Sequence, residues 1–149
     1  MTNITPSDFI TIADPTRRQA HIQPDKPALK FEGAAMSYGA LNAGASRAAN
    51  VFLSLGLKPD DRVCYLGKNT PVYYQLLLAA VKAGGVICPI NWRLAVPEIA
   101  YILNDARTRF LFVSGEFSNL VDELEKLAPE ITHVFCVEEN DHGLPTVDT

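Results

Sequence analysis

Apolar residues gather in four short runs, separated by longer stretches in which they recur every three or four positions. The runs are Arg62-Val63-Cys64-Tyr65-Leu66, Val86-Ile87-Cys88-Pro89-Ile90, Arg109-Phe110-Leu111-Phe112-Val113 and His133-Val134-Phe135-Cys136-Val137. Most of their positions are apolar without clean alternation, as in strands covered on both faces. They begin at positions 62, 86, 109 and 133, nearly equal intervals that each hold one strand and one helix. This rhythm predicts a parallel sheet joined by right-handed crossovers. No residue-level repeat accompanies it, so the interval reflects a strand–helix unit and not a solenoid.

The helices are legible one by one. Over residues 38–55, Leu41, Ala45, Ala48, Phe52 and Leu55 step by four and three and so share one face. Ser37 is placed to cap the start of this helix, and Gly56 follows its end where a left-handed residue is favoured. Thr70 as cap and Pro71 in the first turn open a second helix, which runs through Leu76, Leu77 and Ala80 to Ala83 and stops at Gly84-Gly85. Apolar residues surround it almost entirely, which predicts deep burial. A third helix begins near Pro97 and carries Ile99, Ile102 and Leu103, and a fourth carries Phe117, Leu120, Leu124 and Leu127. Upstream, Asp14-Pro15 form the cap and first turn of a short helix reaching about Ile22. Residues 28–31 and Met36-Ser37 then flank Glu32-Gly33-Ala34-Ala35 as a small hairpin. The fold class is α/β: a mainly parallel sheet with flanking helices, plus a small N-terminal hairpin. The tail after Val137 is acidic and irregular and ends at Thr149 without a closing element. From this we expect a piece of something longer.

Composition narrows the picture. The 149 residues suit one domain, and 48% hydrophobic with 20% charged residues is a globular and not a disordered balance. Lys and Arg number 13 against 17 Asp and Glu, a net charge of -4, with no basic stripe. Nucleic acid and anionic membrane surfaces are therefore not expected as partners. The longest apolar run, residues 72–81, is about half of a bilayer span, so no transmembrane segment is expected. The first residues lack the basic and apolar regions of a secretory signal, and a cytoplasmic location is expected. Cys64, Cys88 and Cys136 are widely spaced within apolar runs and read as three small buried core residues. They show no zinc-ligand spacing, and His21, His133 and His142 are isolated, so no metal site is assigned.

Motifs that carry chemistry are scarce. Gly67-Lys68-Asn69-Thr70 lies between a strand and a helix, the context of a phosphate-binding loop. A P-loop, however, needs Ser or Thr after the Lys and a glycine five residues earlier, where this chain has Asn69 and Arg62. Asn69 and Thr70 are instead expected to satisfy helix-end N–H groups. Gly84-Gly85 after Lys82-Ala83 is helix-ending punctuation. There is no GxGxxG fingerprint and no GxSxG elbow, and Ser114-Gly115 reads as a loop start. Asp122, Glu123 and Glu125 fall on a solvated helix face, and no catalytic residue is assigned. Arg93 is the exception. It leaves the carboxyl end of a strand, the edge where parallel sheets bind ligands, and its guanidinium suits a phosphate. A structural arginine pairing a carboxylate or a helix C-terminus is the other reading.

Taken together, several segments resemble the adenylate-forming enzymes. Met36-Ser37-Tyr38-Gly39-Ala40-Leu41-Asn42 is similar to their first core motif, and Val81-Lys82-Ala83-Gly84-Gly85-Val86-Ile87-Cys88-Pro89-Ile90-Asn91 to their second. Pro24-Asp25-Lys26-Pro27-Ala28-Leu29, Leu55-Gly56-Leu57-Lys58-Pro59, Gly67-Lys68-Asn69 and Asn91-Trp92-Arg93-Leu94 match in order and spacing. The resemblance covers about residues 10–137. Asn91-x-Arg93-Leu94 leans toward acyl-CoA synthetases, including fatty-acid–CoA ligases.

The resemblance implies activation of a carboxylic acid by ATP with Mg²⁺ to an acyl-adenylate, then transfer to CoA. It further implies that residues 1–149 are the N-terminal portion of an AMP-binding domain, with phosphate loop and C-terminal lid absent. Such a fragment is expected to be inactive, to bind no cofactor by itself, and to dimerise through exposed apolar surface. Some relatives use the arginine of Asn-x-Arg-Leu to hold the nucleotide phosphates of CoA, which would make Arg93 a cofactor-binding residue. The chain departs from the pattern at Ala40, which removes the capping-box partner of Ser37, and at Ala95-Val96, where no side-chain cap is available. The competing expectation is a free-standing flavodoxin-like module that binds a ligand or partner and catalyses nothing.

Overall fold

The computed structural model describes residues 11–138 and 140–146. Along the chain lie α1 (Asp14–Ile22), β1 (Pro27–Phe31), β2 (Ala34–Ser37), α2 (Tyr38–Ser54), β3 (Arg62–Leu66), α3 (Pro71–Lys82), β4 (Val86–Ile90), α4 (Val96–Asp105), β5 (Phe110–Val113), a 3-10 turn (Gly115–Leu120), α5 (Val121–Leu127) and β6 (His133–Cys136). The four apolar runs are the four strands of a sheet ordered β4-β3-β5-β6, parallel throughout. From β3 the chain moves outward through α3 to β4. It then returns over β3 through α4 to β5 and continues through α5 to β6. The winding therefore reverses between β3 and β5, whose carboxyl ends form the topological switch point.

Side-chain alternation splits the core into two layers. Val63, Tyr65, Phe110 and Phe112 face α2 and α3, where Phe52, Leu76 and Ala79 meet them. Cys64, Leu66, Leu111 and Val113 face the other way, against Ile99 and Leu103 of α4 and Leu124 of α5. A third cluster joins Ala13, Leu41, Ala45 and Leu78, and the hairpin residues Leu29 and Met36 pack on it. No helix among the described residues is long and apolar enough to cross a membrane.

Local chemistry explains the ends of the elements. The Ser37 hydroxyl accepts from the Ala40 N–H at 3.2 Å, so α2 keeps its cap without a reciprocal partner at Ala40. Helix α4 begins at Val96, one residue before its proline, and is not left bare. Glu98 reaches back to accept from the Ala95 N–H at 2.8 Å, supplying half of a capping box from the other side.

Three expectations need correction. The hairpin turns on Glu32 and Gly33 alone, at φ 47° and 82°, and Ala34 and Ala35 belong to β2. A two-residue turn with positive φ at both positions matches the twist of its strands. The fourth helix is divided: residues 115–120 wind as a 3-10 turn, in which the Ser118 hydroxyl donates to the Gly115 carbonyl at 2.7 Å, and α5 follows. Phe117 and Leu120 still pack on the same core as Leu124. Finally, Cys64 and Cys136 are buried as expected, but Cys88 is only half-buried because β4 lies at the edge of the sheet. All three are free thiols.

Candidate functional site

The carboxyl edge of the sheet gathers three loops: residues 67–70 after β3, 91–95 after β4 and 114–117 after β5. In the second of these, the Asn91 side-chain oxygen accepts from the Arg93 N–H at 3.1 Å, and the Leu94 N–H donates to the Asn91 carbonyl at 3.2 Å. In this Asx-type turn Trp92 and Leu94 pack against the core while Arg93 is exposed. The Arg93 guanidinium lies over the Trp92 ring, 4.0 Å from its centroid. The ammonium of Lys68 approaches the same ring at 5.2 Å, and Phe117 packs beside it with ring centroids 5.9 Å apart. Trp92 thus forms an aromatic support on which two cations converge, each contact contributing on the order of 0.5–1 kcal/mol at an exposed site.

The two cations differ. Lys68 pairs with the Glu116 carboxylate at 2.7 Å. Arg93 is exposed and makes no ion pair among the described residues. Among the described residues no carboxylate partner for Arg93 is found. Its guanidinium rests over the Trp92 ring, and no side-chain hydrogen bond of it is found among the described residues.

The glycine-lysine loop is held by structural contacts. The Tyr65 hydroxyl donates to the Lys68 carbonyl at 2.8 Å, and the Thr70 hydroxyl accepts from the Tyr73 N–H at 3.4 Å, a weak cap for α3. Burial pushes the Tyr65 phenol above its ordinary pKa. A Cβ at Gly67 would fall 2.6 Å from the Tyr65 hydroxyl oxygen, so only glycine allows this approach. Between this loop and Ser114 lies a recess of about 410 Å³ bordered by Lys68, Thr70, Glu116 and Glu138. The buried Ser114 hydroxyl has no hydrogen-bond partner among the described residues.

Lys82, from the second resembling segment, donates to the Asn42 side-chain oxygen at 2.7 Å and to the Ser46 hydroxyl at 3.0 Å. Asn42 belongs to the first resembling segment, so one lysine ties the two together across α2 and α3. Burial, and then the charge of Arg17, lower the pKa of Lys82. His133 stacks on Phe110 with centroids 4.7 Å apart, a packing role. Among the described residues, no group of three or more His, Cys, Asp or Glu is placed to hold a metal ion. Sequence reasoning singled out Arg93 but missed Trp92 and Lys68 as its companions. An aromatic immediately before an arginine in a strand-end loop was the available signal.

Comparison with known proteins supplies the family. The sequence model of the family described as "AMP-binding enzyme" matches residues 16–147. The chain belongs to the AMP-binding enzyme family. Relatives include a fatty acid–[acyl-carrier-protein] ligase, ScoC, of Streptomyces coeruleorubidus, 39% identical over 80% of this chain and 23% of its own length. A feruloyl-CoA synthase of an Amycolatopsis species is 37% identical over 72% of this chain and 22% of its own. Among solved structures, a protein assigned as a long-chain-fatty-acid CoA ligase of Rhodopseudomonas palustris superposes with a TM-score of 0.86 at 25% identity, over 95% of this chain and 36% of that one. The chain therefore spans about a quarter of the length of these curated relatives. Its four-stranded parallel sheet and flanking helices match the N-terminal domain of CoA ligases.

Proposed function

We propose that the chain forms the N-terminal part of an AMP-forming acid–CoA ligase, and that Arg93 holds a nucleotide phosphate of CoA. The observation that carries the assignment to Arg93 is its guanidinium over Trp92 at the carboxyl edge of the sheet, with no ion pair among the described residues. Contact with the ring restricts the guanidinium, whose fork can make two parallel hydrogen bonds to phosphate oxygens. Lys68, beside the same ring, adds positive potential even while paired to Glu116.

The parent enzyme would join a carboxylic acid, in our reading a fatty acid, to CoA through an acyl-adenylate, with ATP and Mg²⁺. Among the described residues there is no Ser/Thr/Gly-rich phosphate loop and no carboxylate cluster for the metal, so nucleotide activation falls to the remainder of that enzyme. We assign that remainder to the open apolar groove of about 330 Å³ that includes Val51, Phe52, Val72, Phe112 and Phe135. Relatives roughly four times as long support this assignment, which makes self-association of the isolated chain a substitute contact.

The carrier-protein ligase among the relatives favours a second reading of the acceptor, in which the thiol belongs to a carrier protein and not to CoA. The free-standing module retains one point in its favour, since the sheet order is that of flavodoxin-like folds. The family match weighs against it. Arg93→Ala in the full-length enzyme tests the assignment. It should raise the KM for CoA about tenfold or more, as expected for losing a charged hydrogen bond worth about 1.5–3 kcal/mol. Adenylate formation, followed by pyrophosphate exchange, should not change. An unchanged KM for CoA returns Arg93 to a surface role, and activity with a carrier protein alone moves the acceptor to the second reading.

A further inference from the structure

Two of the three thiols face each other in a part of the sheet that no step above uses. Cys64 and Cys88 are register partners in the parallel ladder of β3 and β4. Neighbouring strands place such Cα atoms about 4.8 Å apart, inside the window of roughly 4.4–6.8 Å that a disulfide spans. Both side chains lie on the α4 side of the sheet, in the same apolar cluster. Their exposures differ. Cys64 is fully buried, with its sulfur 2.9 Å from the Thr108 hydroxyl oxygen, whereas Cys88 is half-buried on the edge strand.

We propose that Cys64 and Cys88 form a peroxide-reactive dithiol, in which Cys88 is oxidised first and Cys64 closes an intrachain disulfide. The electrostatics agree with this order. Hydrogen bonding with Cys64 and the charge of Arg62 bring the Cys88 thiol from its ordinary 9.0 to about 7, against the opposing effects of burial and Asp105. Its bond to Cys88, and then burial, push Cys64 upward, which keeps it protonated. In the first step the Cys88 thiolate attacks one oxygen of hydrogen peroxide. The O–O bond breaks, hydroxide leaves and a sulfenic acid forms. In the second the Cys64 sulfur attacks the Cys88 sulfur. The S–O bond breaks, and the proton of Cys64 departs with the hydroxyl group as water. Two thiols are oxidised by two electrons and one peroxide is reduced to two waters, with no other reactant. Cys136, on β6 at the opposite edge of the sheet, is an internal control.

The test is to treat the reduced chain, at a dilution that suppresses intermolecular contact, with a small molar excess of hydrogen peroxide. Thiol titration should fall from three to one, and peptide mapping should join the peptides of Cys64 and Cys88 without added oxygen. Cys88→Ser should retain both remaining thiols. Cys64→Ser, or Cys64→Ala if the serine variant fails to fold, should leave Cys88 as a sulfenic acid that a dimedone probe captures. Mapping of the wild-type chain decides without either variant. Unchanged thiols, oxygen on Cys88 beside a free Cys64, a link through Cys136, or a disulfide between chains would each overturn the proposal.

Discussion

The two faces of the sheet are closed to different degrees. On one, α4 crosses over β3 and α5 connects β5 to β6, so the central strands β3 and β5 lie beneath helices, while Cys88 and Val134 of the edge strands are half-buried. Ile99, Leu103 and Leu124 are at most 1% exposed. On the other, α2 and α3 cover β3, β4 and β5, but among the described residues no helix covers the share of β6 on that face. Phe135 remains half-buried there, and Val51 of α2 is 50% exposed at the rim of the groove. The same apolar strand chemistry thus produces a finished core on one side and an open one on the other. The difference comes from connectivity, because each crossover helix protects only the strands that it joins.

This comparison can be broken by substitution. Leu103→Ala removes a side chain from the closed core and should cost about 2–5 kcal/mol, read by urea unfolding. Phe135→Ala, at the open groove, should cost only about 1 kcal/mol in the isolated chain, since less of its surface leaves water on folding. Equal losses would mean that the groove is as well packed as the opposite core. The smallest effect belongs to Val51→Lys, which should leave stability within about 0.5 kcal/mol. It should nevertheless lower self-association measured by light scattering at two concentrations. Association unchanged by this lysine would show that the groove is not the adhesive surface.

How much of this was legible beforehand follows the range of the forces involved. Strands β3 and β4 and helices α2 and α3 are fixed by local signals: apolar runs, Ser37 and Thr70 before the helices, and Gly56 and Gly84 after them, both at positive φ. The hairpin turn was misplaced because Glu32 adopts a left-handed conformation that its residue type does not advertise. The break before α5 was hidden because the periodicity of Phe117, Leu120 and Leu124 serves a 3-10 turn followed by a helix as well as one continuous helix. Arg93 was legible as a candidate from its place at a strand end. Its seat on the adjacent Trp92 is a local contact, whereas the approach of Lys68 from a loop 24 positions upstream of Trp92 depends on β3 and β4 lying side by side, which no local pattern encodes. The Cys64–Cys88 pairing was hidden for the same reason, because register between strands is a tertiary property.

The central claim is that these residues are a well-folded front section of a ligase whose activating machinery lies elsewhere. Acyl-adenylate formation measures it most directly, with the 149-residue chain and the full-length parent each given a fatty acid, ATP and Mg²⁺ and followed by pyrophosphate exchange. The account predicts exchange by the parent and none by the short chain at any concentration. Sustained exchange by the short chain alone would contradict it.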